Sequence, residues 1–126
     1  MVRWRLVSAL ALVALLPGGP AWAADFPTGT FTASKQPDWS ITFGEKGRFT
    51  VTRGGKAVVE GSYKVAGAEV TLTDEAGQFA TPDPAGKTGK YRWKHTDGKL
   101  TFTVVEDKSR GRELLLTLND WAQKKK

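Results

Sequence analysis

The stretch from Gly89 to Asp107, GKYRWKHTDGKLTFTVVED, reads as a β-hairpin. Tyr91 and Trp93 alternate with Lys90, Arg92 and Lys94; Leu100, Phe102 and Val104 alternate with Thr101 and Thr103. A period of two sends the rings to one face and the charges to the other, the pattern of a sheet with one dry face and one wet one. Between the two runs, Asp97-Gly98 is a dipeptide that accepts positive φ, which a tight turn between antiparallel strands demands.

Working outward, the same alternation recurs. The spacing predicts strands at Gly29–Ser34, Asp38–Phe43, Arg48–Arg53, Ala57–Val65, Glu69–Asp74, Gly89–His95, Lys99–Glu106 and Arg112–Asn119. Short turns join most of them: GEKG at 44–47, GGK at 54–56, AGA at 66–68 and TDGK at 96–99. After residue 23 no segment shows a convincing helical period. Eight strands joined to their sequence neighbours form a meander, and an up-and-down barrel is the closure that removes both exposed edges. The expected fold is therefore all-β, an eight-stranded antiparallel up-and-down barrel. Its inward face carries Trp39, Ile41, Phe43, Phe49, Val51, Val59, Tyr63, Val65, Val70 and Leu72 besides the hairpin residues, with Leu114, Leu116 and Leu118 from the last strand. Gly61 falls on that face between Val59 and Tyr63, where a glycine permits a sharp bend of the wall.

The first 23 residues read as a signal peptide. Arg3 and Arg5 precede the apolar run Leu6–Leu16, helix breakers follow at 17–20, and AWA ends at Ala23 as a cleavage site. The run is too short to span a bilayer, which takes roughly 20 residues. No cysteine follows it for lipid attachment, and Trp4 separates the arginines, so it is not a twin-arginine signal. The expected mature chain, 24–126, is one exported domain, periplasmic or extracellular, monomeric and without a stable membrane anchor. The whole sequence has no cysteine, so packing alone must hold the domain. Losing Arg3 and Arg5 lowers the formal charge from +6 to +4, and Lys124, Lys125 and Lys126 supply three of those four. A nearly neutral body with a basic end, read as a frayed solubilising terminus, does not make a nucleic-acid face.

With Gly29-Thr30-Phe31 opening the meander, the chain resembles the calycin superfamily, barrels whose first strand carries a Gly-x-Trp motif. The segments GSYKVAGAEVTLTDEAGQFA, GKYRWKHTDGKLTFTVVED and GRELLLTLNDW look like exported bacterial lipocalin-like domains, over Gly29 to Trp121. The resemblance implies a basic residue, Arg112 or Arg110, over the ring of Phe31. It also implies a cysteine in each of two loops, where this chain has Thr81 and Ser109.

Catalytic patterns are thin. Gly86-Lys87-Thr88 matches the second half of a phosphate-binding loop, but residue 81 is Thr, Pro82 and Pro84 remove backbone donors, and a strand follows. His95 is the single histidine and reads as a polar rim residue, so no metal or cofactor site is expected. Asp74-Glu75 and Glu106-Asp107 each end a strand; at one mouth they could hold a cation or exchange protons, or simply be solvated. No nucleophile–base set is visible, and a non-enzyme is expected. The aromatic interior remains: Phe43, Phe49, Tyr63, Tyr91, Trp93 and Phe102 are the candidate ligand-binding residues. Phe79 joins them from the long Glu75–Thr88 loop as a lid over one mouth. An eight-stranded barrel can be filled by side chains or hold one small molecule. The leading expectation is a small apolar or aromatic ligand; the alternative is an envelope interaction or inhibitor module with a filled core.

Overall fold

The structure, a computed structural model, describes residues 26–124; the expected signal peptide, Lys125 and Lys126 lie outside the described residues. Seven strands stand where the alternation puts them: β1 (Gly29–Ala33), β2 (Trp39–Phe43), β3 (Arg48–Arg53), β4 (Lys56–Ala66), β5 (Glu69–Ala76), β6 (Thr88–Thr96) and β7 (Lys99–Glu106). The inward register is also as expected. Ile41, Phe43, Phe49, Val59, Val65, Val70, Leu72, Tyr91, Leu100 and Phe102 are buried, while Lys90, Arg92 and Lys94 face water. Asp97, with φ of 54°, and Gly98, with φ of 75°, make the β6–β7 turn left-handed.

The eighth strand is a correction. Arg112–Asn119, expected as a strand, lies almost wholly within helix α1 (Arg110–Leu118), and the closing strand is β8 (Trp121–Gln123). Ser109 caps the helix, its side chain accepting the N–H of Arg112 at 3.4 Å. The apparent alternation of Leu114, Leu116 and Leu118 ignored Leu115, which a half-wet strand would leave polar. Arg112, Glu113 and the leucines are ordinary helix formers. The helix stops at Asn119, whose buried side chain takes the N–H of Lys35 (2.9 Å) and donates to Leu115 O (2.9 Å) and Gln36 Oε1 (3.0 Å).

Each strand pairs antiparallel with its sequence neighbour, and β8 pairs with both β7 and β1, so the barrel closes. The seam is short: Leu100 faces Trp121 on one side, and Ala33 faces Trp121 and Phe31 faces Gln123 on the other. Lys124, expected to belong to a frayed tail, extends the seam, its N–H donating to Thr30 O at 2.8 Å. Gly61 bends the wall as expected. The β4–β5 register shifts there, and a Cβ at this position would collide with the Thr73 carbonyl and press on the Phe49 ring.

Candidate functional site

In an up-and-down barrel alternate connections lie at the same end, and here the two ends have opposite chemistry. At the end carrying the β2–β3, β4–β5 and β6–β7 turns, Phe26 enters from the segment before β1 and is buried. Its ring centroid stands 4.9 Å from Phe43, 5.0 Å from Trp93 and 5.4 Å from Tyr63, mostly edge to face. Trp93 Nε1 donates to Gly67 O at 3.0 Å, and the Tyr63 hydroxyl donates to Gly44 O, so the polar tips of the plug are satisfied. This end is closed.

The other end holds a cavity of about 520 Å³. Ile41, Phe49, Val51, Val59 and Leu72 form its barrel wall, and Leu114, Leu115, Leu116 and Leu118 of α1 line it from across the mouth. The long loop supplies Phe79, 45% exposed, whose ring lies 6.0 Å from that of Trp39. Loop and barrel are joined by the backbone: Phe79 N–H donates to Val58 O at 2.9 Å, and Gly77 lets the chain approach Val58 where a side chain would collide. The volume lies within the roughly 300–1,000 Å³ usual for small-molecule sites, and the apolar lining is typical of them.

A buried ionic clasp holds the rim together. Arg112, in the first turn of α1, reaches Asp107 at the end of β7 through two bonds, Nε to Oδ2 at 2.7 Å and Nη2 to Oδ1 at 2.6 Å. It meets Asp74 of β5 at 3.1 Å and donates to Gly86 O (2.7 Å) and Lys87 O (3.2 Å). Burial works against the guanidinium's charge, but the bond to Asp107 and the charges of Asp74 and Asp107 prevail and hold its pKa above the ordinary value. Tyr91 donates its hydroxyl to Asp107, and burial first, then that bond, push its pKa up. Thus two of the four strand-end carboxylates do meet at one mouth, with Arg112 as their cation. Glu75 instead pairs on the surface with Arg48 at 2.7 Å. The Gly86-Lys87 segment turns carbonyls toward a cation, the opposite of a phosphate cradle.

Of the expected ligand-binding residues, only Phe49 and Phe79 line the cavity. Phe43, Tyr63 and Trp93 belong to the Phe26 plug, while Tyr91 and Phe102 pack together as buried core, their centroids 6.1 Å apart. Strand parity gives the side of the sheet a ring faces, but it says nothing about height along the barrel. The reading missed Phe26, which precedes the alternation, and the α1 leucines, which were placed on a strand. Arg112 is another correction: it does not cover Phe31, whose ring neighbours are Phe43 and His95. Among the described residues the cation over a ring is Arg53, 5.4 Å from the Trp39 centroid. Thr81 and Ser109, in the two loops that the resemblance pairs, do touch: Thr81 Oγ1 donates to Ser109 Oγ at 3.2 Å.

Comparison with family models, curated proteins and solved structures returns no match for this chain. The site must be read from its own geometry.

Proposed function

We propose that this protein is an exported, lipocalin-like barrel that binds a small apolar molecule, without chemistry, in the cavity under α1. The observation that carries the reading is the asymmetry of the barrel. At one end four aromatic rings plug the bore, while the other end keeps an apolar space that the same chain could have filled with larger side chains. Val51 and Val59 stand where Phe or Leu would close it, and empty apolar volume destabilises a core by leaving its lining without contacts. The signal-like leader and the resemblance to exported lipocalin-like domains give the proposed location, periplasmic or extracellular.

The test is a titration with N-phenyl-1-naphthylamine, an apolar probe that fluoresces when sheltered from water. Parent protein should bind it at one saturable site, and Val51→Phe, which fills the space, should abolish binding while the variant stays folded. Tyr63→Phe, at the plugged end, should bind as the parent does. Binding that survives Val51→Phe but is lost in Tyr63→Phe would overturn the assignment. A second reading draws on the exposed rim, Leu118 being 57% accessible beside Phe79 and Leu114. If that rim docks a partner protein instead, the parent will take up no probe.

A further inference from the structure

The cavity is apolar except at one corner, where its charge is unbalanced. Arg112 lines that corner, but its charge is already shared between two carboxylates. A guanidinium offers five N–H donors and no acceptor. Four of them go to Asp107 Oδ2, Asp107 Oδ1, Gly86 O and Lys87 O, and its Nη1 also stands 3.1 Å from Asp74 Oδ2 as an ion pair. An incoming carboxylate would be a third negative group around that one cation.

Asp74 is the opposite case. It is 4% exposed and lines the cavity. Its Oδ2 takes both the Thr81 N–H, at 3.0 Å, and Arg112. Among the described residues its Oδ1 takes no hydrogen bond and no ion pair. Buried carboxylate oxygens are seldom left without a donor, because the lost hydration must be replaced. The surrounding charge does not replace it, since Asp74 and Asp107 together outnumber the single cation between them. The other polar residues lining the cavity, Thr81, Ser109 and Gln36, are neutral and do not offset the excess.

We infer that the molecule held in the cavity carries a hydrogen-bond donor, a protonated amine above all, and seats it on Asp74 Oδ1. Its apolar part then lies against Ile41, Val51, Val59 and Leu72. The inference rests on the cavity being a ligand site and adds the class of ligand: an apolar amine or, less tightly, an alcohol, and not a fatty acid.

The experiment is displacement of bound N-phenyl-1-naphthylamine by decylamine, decanol and decanoate at neutral pH, which differ only in the end group. A charge-assisted hydrogen bond in a dry site should favour decylamine over decanol by about tenfold, with decanoate weakest. In Asp74→Asn, which keeps the shape and removes the charge, the amine's advantage over the alcohol should fall to about twofold or less. A merely structural Asp74 would lower all three affinities together and leave their ranking unchanged, which would overturn the inference. Decanoate equal to or tighter than decylamine on the parent protein would overturn it too, whether or not the variant folds. In both of those outcomes the probe is still displaced, so the cavity reading stands. If the parent takes up no probe at all, the cavity reading falls, and this inference with it.

Discussion

At the scale of single residues, the buried polar groups are the most informative. Tyr91, Asp107, Arg112 and Asp74 form one connected cluster in which each member keeps another from being an uncompensated burial. Its pH response can be worked out from the tyrosines, of which the chain has two. Both are held above the ordinary phenol range: Tyr91 by burial and then by Asp107, Tyr63 by burial and then by the charge of Glu45. A raised phenol pKa means that the folded state prefers the neutral form more strongly than the unfolded state does. That contribution is complete below the unfolded value of about 10 and is lost as pH climbs beyond it. Tyrosinate absorbance near 295 nm should therefore stay flat through the usual tyrosine range. It should then rise in one step together with loss of the β-sheet circular dichroism. A gradual rise while the barrel is still folded would show the two phenols to be ordinary.

At the scale of elements, the mouth of the cavity is bordered by two pieces of unlike strength. Leu116 of α1 is buried, and its carbonyl accepts Trp121 Nε1 at 3.2 Å, so it is part of the barrel's own packing. Phe79 is half in water. Leu116→Ala should destabilise by about 2–5 kcal/mol in urea unfolding, as deletion of a buried leucine side chain does. Phe79→Ala should fall well short of the roughly 3–5 kcal/mol of a buried phenylalanine, yet speed the release of N-phenyl-1-naphthylamine in stopped flow. Equal release from parent and Phe79→Ala would make the loop a connector only. The contrast also shows what the residues could reveal beforehand. Strand faces were legible because alternation is a local signal: Tyr91 and Trp93 against Lys90, Arg92 and Lys94 admit one reading. Helix α1 was not, because nine residues rich in leucine satisfy two periods at once, and Leu115 and the Ser109 cap were the only local arbiters. The cavity lies further beyond reach, since it depends on which inward residues share a height and on a loop folding back to Val58.

At the scale of the whole molecule, closure depends on few residues. β8 contributes three, and Trp121 at its start is fully buried between Leu100 and Ala33. Ending the chain after Lys124 should leave the unfolding midpoint unchanged. Ending it after Asp120 removes the seam and exposes two strand edges, and should abolish the cooperative transition and promote aggregation, both readable by calorimetry and light scattering. A cooperative transition in the shorter chain would show that the barrel does not need β8.

That seam has a consequence in time. Ala33 and Trp121 must meet across nearly the whole described chain, and until they do every hairpin between them is part of an open, curling ribbon. Hairpins form within about microseconds, whereas the pairing of β1 with β8, where Ala33 meets Trp121, closes the longest loop of the barrel, whose entropy must be met before its contacts reward it. During synthesis from the amino end, the ribbon cannot become a cylinder until residue 121 has emerged. The protein therefore has a built-in delay: its native state is withheld from the growing chain and granted in one late step.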